Sequence, residues 1–441
     1  MQRRTPMHIS LRHHSDRVAL SMGNPNRISL AYSEDPRAVA KRLPRRADDE
    51  PKNVLVLGAN GFVGMHMLRE LLGDTRVATV YALVRRKGDK SGEDRIARQL
   101  RKYKMELPDT GKLSVLEGSY LEPAMGLAPA DYDKLLTDVD VVIDAAGATT
   151  HDYPYARYRQ EKVLPTLRLA EFCLRKRFKT LHVIGSVGSE VYQQWRDFYR
   201  NSFFYTGYSR MKWVVKHIAL RANRDGVPIH IYQAPFALGG PSTGFKDPGM
   251  EYSFWNMISH ILQLGMVWNS EVTSPVVAGD VLARSVVANA LSNAPRVISY
   301  PVTPVTTQEI AERFDLKLVP WPVFRRELIR QHRFRLGQID WSKPVASIRR
   351  GRQQSRFVSS LFPPSFHTLL NNIHTAAANP TTVRVDADLP SIDVMENNAR
   401  RIRKLSRYLP EEALLVPVPV PVHASVPAPV PVPEPVPVGA V

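Results

Sequence analysis

Tyr208 and Lys212, in the run Tyr208-Ser-Arg-Met-Lys212, stand four residues apart. On a helix that spacing puts both side chains on one face, over one pocket. The chemistry open to such a pair is proton exchange with a substrate oxygen, the lysine cation lowering the tyrosine pKa. The spacing alone is weak evidence, because sixteen tyrosines and seventeen lysines generate about half of one such pair by chance. A second pair, Tyr158-Arg-Gln-Glu-Lys162, has the same spacing. Position separates the two. Tyr208 lies downstream of the strand-like run Leu181-His-Val-Ile184, which ends in Gly185-Ser186. A hydroxyl at the carboxyl end of a strand can bond the oxygen that the tyrosine serves. Tyr158 precedes that run, on the helix after Asp144-Ala-Ala-Gly147, and reads as structural. The expected catalytic set is Ser186, Tyr208 and Lys212.

The electron carrier for such chemistry is signalled at Gly58-Ala-Asn-Gly61-Phe-Val-Gly64. An apolar run, Val54-Leu-Val-Leu57, precedes it and reads as a buried parallel strand. A helical pattern follows, with Val63, Met67 and Leu71 on one face. Strand, glycine turn and helix together form a dinucleotide site: glycines let the backbone approach a pyrophosphate, and N–H groups at the helix start stabilise its charge. Gly58, Asn60, Gly61, Phe62 and Gly64 are the expected cofactor residues, with Lys212 on the nicotinamide ribose. The second strand ends Ala82-Leu-Val-Arg85-Arg86-Lys87, with no Asp or Glu to bond a ribose 2′-hydroxyl. Cations there suit a 2′-phosphate, so NADPH is expected over NADH, with Arg85 stacking and pairing and Arg95 closing from the next helix. A solvated basic turn is the plainer alternative.

These residues need a frame. Strand-like runs at 54–57, 79–84, 113–117, 139–144, 181–184 and 229–233 alternate with helical stretches such as 164–177 and 207–223. That rhythm predicts an α/β fold, a Rossmann-type doubly wound parallel sheet with a smaller C-terminal substrate-binding cap and disordered tails. Residues 1–52 are basic and read as largely disordered, and 53–240 as the NADP-binding domain. After Gly239-Gly240-Pro241 the rhythm breaks, and 241–345 reads as the cap, partly interleaved with the Rossmann domain. Residues 346–441 read as a flexible extension, with a basic helix at 399–408 and a Pro-Val repeat at 415–438 that should be extended polyproline II and offers a partner site.

Composition narrows the class. One cysteine, Cys173, excludes a disulfide framework, and neither His151 nor His182 has partners at metal-ligand spacing. No apolar run approaches the roughly 18 residues of a membrane helix, so no integral membrane segment is expected. The first thirty residues are rich in Arg and Ser and lack a secretory apolar core. A cytoplasmic protein is expected, with a mitochondrial transit peptide as the alternative. The net charge is +18. Residues 1–52 hold 11 Lys/Arg against 6 Asp/Glu and residues 346–441 hold 10 against 7, so most of the excess lies between them. A basic folded core suits anionic ligands. No nucleic-acid partner is expected, because no groove-reading motif accompanies the charge.

The glycine turn, the downstream serine and the Tyr-x-x-x-Lys pair resemble an extended short-chain dehydrogenase/reductase. Leu-Val-Arg85, then a helix carrying Arg95 and Tyr103, is similar to the thioester reductases, the terminal reductase domains of nonribosomal peptide synthetases and carboxylic acid reductases. His151, Ser274-Pro-Val-Val-Ala-Gly-Asp280 and Leu318-Val-Pro-Trp321 add to the likeness, which covers about residues 53–330. Three departures stand out. Gly118-Ser119 replaces a usual Gly-Asp; Lys162-Val163 replaces Asn-Val and puts a charge near a structural hydrogen-bond network; Gln233-Ala-Pro235 replaces an arginine.

The resemblance implies NADPH-dependent reduction of a thioester to an aldehyde or alcohol in specialised-metabolite biosynthesis. The acyl group would be a small-molecule substrate on coenzyme A or a separate carrier protein. The aromatic run from Tyr192 to Tyr205 would cover an apolar acyl or aryl group, or pack the cap. Two other readings stay open: an NADPH-dependent ketone or aldehyde reductase, and a non-catalytic NADPH-binding sensor or scaffold.

Overall fold

The computed structural model describes residues 7–103, 105–147, 153–186, 189, 207–234, 236–238, 253–269, 273–274, 276–292, 298–299 and 305–331. The first surprise is at the N-terminus, where the sequence predicts disorder through residue 52. Residues 7–46 instead form an arm of short elements: β1 (Ile9–Leu11), α1 (Ser15–Met22), β2 (Leu30–Tyr32) and α2 (Pro36–Arg42). The two strands pair antiparallel, Ile9 opposite Tyr32. Gly23, at φ +57°, closes α1, and Asp35 caps α2 ahead of Pro36. Ile9, Ala19, Leu20, Ile28, Leu30 and Val39 are buried, all in one apolar cluster with helices further along the chain.

The next elements follow the predicted alternation. They are β3 (Lys52–Leu57), α3 (Phe62–Gly73), β4 (Val77–Val84), α4 (Gly92–Tyr103), β5 (Leu113–Glu117), α5 (Pro129–Asp138) and β6 (Val141–Asp144). Then come α6 (Tyr155–Tyr158), a π-helical turn Arg159–Val163, α7 (Leu164–Cys173), β7 (Thr180–Ile184), α8 (Gly207–Arg224) and β8 (Ile229–Gln233).

The chain continues with β9 (Phe236–Leu238), α9 (Ser253–Leu264), β10 (Met266–Trp268), β11 (Thr273–Ser274), β12 (Val276–Ala278), α10 (Gly279–Ala290) and β13 (Ile298–Ser299). It ends with β14 (Val305–Thr306), α11 (Thr307–Arg313), β15 (Lys317–Val319) and α12 (Trp321–Gln331).

The main sheet has the order β13-β8-β7-β6-β3-β4-β5, with every pair parallel. A parallel sheet must be covered on both faces, and β3 shows how its sequence does this. Val54 and Val56 point into one cluster with Met67, Leu68 and Leu71 of α3 and Leu282 and Val286 of α10. Leu55 and Leu57 point into the other, with Leu167 and Phe172 of α7 and Trp213 and Ile218 of α8. Strand order reverses between β3 and β6, which opens a crevice at their carboxyl ends.

Beyond β8 the chain returns to this frame as well as leaving it. β9 pairs with β12, and α10 packs along α3. The close approach there is made at Gly279, where a Cβ would sit 2.9 Å from the His66 ring. The Ser274-to-Asp280 motif is thus β11, β12 and the start of α10, and Asp280 is buried beneath α3. Leu318-Val-Pro-Trp321 belongs to β15 and α12; β15 pairs with β10, and Trp321 packs edge-on to Trp268. No helix among the described residues is long and apolar enough to cross a membrane. The predicted extension 346–441, with its basic helix and Pro-Val repeat, lies outside the described residues.

Candidate functional site

The β3–α3 turn is built so that only glycine fits. Gly58 has φ +74°, and a Cβ on it would lie 2.7 Å from the Ala146 backbone across the crevice. A Cβ on Gly64 would lie 2.1 Å from the Gly58 carbonyl oxygen, which accepts the Gly61 N–H at 2.8 Å. No side chain caps the start of α3, so its first-turn N–H groups remain available to an anion. Such a cradle fits the pyrophosphate of a dinucleotide. Asn60 is half-buried beside it. The Phe62 side chain is buried against Tyr103 and His66, with ring centres 5.4 and 4.8 Å away. Phe62 therefore offers the crevice only its backbone.

At the end of β4, Arg85 is exposed, and its guanidinium has no hydrogen-bond or ion-pair partner among the described residues. Arg95 donates to the Arg85 carbonyl. Partial burial, and then the charge of Arg85, hold the Arg95 guanidinium below its usual pKa. Two like charges held together favour an anion between them. Arg86 is engaged with Glu117 at 3.4 Å. Gly118-Ser119 makes a local turn in which the Ser119 hydroxyl accepts from the Leu121 N–H at 3.4 Å.

Ser186, Tyr208 and Lys212 come together. Gly185 continues β7 by donating to the Tyr232 carbonyl at 2.7 Å, which sets Ser186 beyond the strand end. The Ser186 and Tyr208 hydroxyls are hydrogen-bonded. Lys212, one turn along α8, donates to the carbonyls of Ile184 at 3.0 Å and Gly185 at 3.4 Å. Burial pushes its pKa down to about 8, against the pull of Asp144. Burial also raises the Tyr208 pKa, opposed by the Ser186 hydrogen bond and by a cation.

That cation is Lys162, whereas the Tyr-x-x-x-Lys spacing assigns the effect to Lys212. Lys162 sits in the π-helical turn, 2% exposed. It donates to the fully buried carboxylate of Asp144 at 2.8 Å and to the Ala146 carbonyl. Asp144 closes β6 and also accepts the Ala146 N–H at 3.2 Å. Tyr158, in the other Tyr-x-x-x-Lys pair, is buried with its ring 6.2 Å from that of Tyr208, edge to face. The spacing Tyr158/Lys162 and the departure from the family asparagine are both visible in the sequence. The pairing with Asp144, 18 residues away, is not.

Two other polar residues singled out from the sequence, His182 and Cys173, serve the sheet and the core. His182 is buried within the sheet between Tyr232 (2.6 Å) and Thr180 (3.0 Å). Burial pushes the Cys173 thiol up to about 12 and leaves it inert. Gln233 meets Ser189, Oγ to Oε1, at 3.2 Å. His151, Pro235 and the aromatic run from Tyr192 to Tyr205 lie outside the described residues.

Residues 56–291 match the Male sterility protein family of NAD-binding domains. The chain is 29% identical over 243 residues to a linear gramicidin synthase of Brevibacillus parabrevis, covering 52% of this chain and 5% of that protein. It is 26% identical over 288 residues to the L-2-aminoadipate reductase of Schizosaccharomyces pombe, covering 60% and 20%. It thus spans a fifth or less of the length of these relatives. Among solved structures, the terminal R domain of the myxalamid PKS-NRPS pathway has the same fold. The TM-score is 0.60 at 17% identity, over 82% of this chain and 95% of that one. The chain belongs to the Male sterility protein family, and its glycine turn, parallel sheet and reductase relatives make it an extended, thioester-reductase-like member of the short-chain dehydrogenase/reductase superfamily.

Proposed function

We propose that this protein uses NADPH to reduce a thioester, carried on coenzyme A or a separate carrier protein, to an aldehyde or alcohol in specialised-metabolite biosynthesis. The observation that carries the reading is the hydrogen-bonded Ser186–Tyr208 hydroxyl pair beside Lys212, at the carboxyl end of β7, two strands from the one that leads into the glycine turn. A nicotinamide cofactor held in this crevice would supply the hydride for a thioester carbonyl carbon. Ser186 and Tyr208 hold the carbonyl oxygen as it gains negative charge, and Tyr208 gives it a proton. When the resulting hemithioacetal collapses, the carbon–sulfur bond breaks and the hydroxyl proton leaves with the thiol, freeing the aldehyde. Gly58, Gly61 and Gly64 would hold the pyrophosphate, Arg85 and Arg95 the 2′-phosphate, and Lys212 the nicotinamide ribose. The test is NADPH consumption with acyl-CoA and acyl-pantetheine thioesters beside free ketones and aldehydes. Thioester-dependent oxidation supports the reading. Activity on free carbonyls alone moves the protein to a ketone or aldehyde reductase, and tight binding without turnover to a sensor or scaffold.

Two expected results follow from the charges. Arg85→Ser should weaken NADPH binding about 10- to 100-fold, the loss of one charge-assisted phosphate contact, and leave NADH binding unchanged. Cofactor fluorescence titration measures both. Equal loss for the two cofactors would remove Arg85 from the 2′-phosphate site.

The second concerns pH. Lys212 must be protonated to hold the ribose, and it loses its proton at about 8. The rate at low NADPH concentration should therefore fall as pH rises through this value, well below the range of an exposed lysine. Because the folded pKa lies below the unfolded one, the unfolded chain binds the extra proton between these values. The Lys212 contribution to stability rises with pH across that window. Activity should fall there while circular dichroism shows the fold intact.

A further inference from the structure

We propose that Lys162 is a second lysine of this site, a positioning residue whose ammonium, fixed between Asp144 and the Ala146 carbonyl, stabilises the phenolate that forms at Tyr208. The chemical consequence rests on the reductase reading; the electrostatic claim does not. Four observations converge on it. Lys162 is buried and held from β6 rather than from its own helix, at 2.8 Å from the Asp144 carboxylate. An ammonium has three N–H donors, and two are committed to Asp144 and Ala146. The third has no acceptor among the described residues. The helix that carries it is π-wound at Arg159–Val163, a local distortion frequent at functional sites. Tyr158, one turn earlier, packs edge-on against the Tyr208 ring.

Lys212 is held by backbone carbonyls rather than by a carboxylate. Two of its N–H groups are spent on the Ile184 and Gly185 carbonyls, and its Nζ lies 5.7 Å from the centre of the Tyr208 ring. One carboxylate, Asp144, serves both lysines and opposes the burial that lowers the pKa of each. The Lys162 charge works to lower the Tyr208 pKa, against the burial that raises it. The other ionisable groups against Lys162 are Tyr120, whose ring lies 5.9 Å away and whose hydroxyl donates to the Glu161 carbonyl, and the Tyr208 phenol itself. When the Tyr208 proton passes to the substrate oxygen, the phenolate left behind would face a buried cation with a donor to spare.

The test needs neither substrate nor cofactor. Tyr208 is replaced by 3,5-difluorotyrosine in the full chain, which brings its ionisation into a mild pH range, and the fluorine resonance is followed against pH. Lys162→Met should raise the midpoint by about one pH unit or more. Lys162→Arg, which keeps the charge, should leave it within about half a unit. An unchanged midpoint in a folded Lys162→Met protein overturns the proposal. If that variant does not fold, the otherwise unaltered chain decides. The lysine side-chain NMR signal that disappears in Lys162→Arg must move at the fluorine midpoint, and a signal that stays still overturns the proposal. Failure of the thioester assay alone leaves this result untouched and counts only against the reductase reading.

Discussion

On the proposed function, NADPH oxidation by a Tyr208→Phe variant is expected to fall by about 10²- to 10⁴-fold, the range for removing a positioned general acid. Cofactor affinity should change by less than about threefold, because the lost group acts in the transition state rather than on the bound cofactor. The ring itself stays. Phenylalanine keeps the edge-on packing on Tyr158 and the place beneath Lys212, so only the hydroxyl and its bond to Ser186 are removed. The Ser186 hydroxyl can still donate to the substrate oxygen, so Ser186→Ala combined with Tyr208→Phe should cost less than the product of the two single effects. A Tyr208→Phe enzyme that keeps more than about a tenth of the activity would mean that another group protonates the product.

The legible parts of this fold are those whose signal is local. The six predicted strand runs correspond to β3 through β8 with ends displaced by two residues at most. A strand buried on both faces reads as a continuous Val, Leu and Ile run, and Val54-Leu-Val-Leu57 is such a run. The glycine turn is equally plain, since Gly58 and Gly64 meet backbone where a Cβ would go. The N-terminal arm is not. Its elements are three to eight residues long, too short for a hydrophobic period to emerge, and its apolar residues find their partners in α7 and α8, more than a hundred positions away. The burial of Lys162 against Asp144 is hidden for a related reason. A lysine on a helix is usually solvated, and only the end of β6 reveals that Asp144 waits for it.

The arm also has a measurable part in the site. Asp16 of α1 is fully buried and accepts from the Tyr155 hydroxyl at 2.6 Å and from Arg159 Nε at 2.7 Å. Tyr155 and Arg159 flank Tyr158 on the same helical stretch that carries Lys162. Asp16→Ala leaves the Arg159 guanidinium, 11% exposed, without its carboxylate. Removing one partner of a buried ion pair costs about 3–5 kcal/mol, and the urea midpoint should fall accordingly with little change in slope. Asp16→Asn, which keeps an acceptor, should lose less. The damage should also reach the proposed catalytic residues in variants that remain folded, because loosening Arg159 loosens the turn that carries Lys162. The fluorine midpoint of a difluorotyrosine at position 208 should then drift upward, as expected for Lys162→Met. A loss below about 0.5 kcal/mol, within the range of an ordinary surface substitution, would show that the arm rests on the domain without bracing it. A full loss of stability with an unmoved midpoint would separate bracing the fold from positioning Lys162.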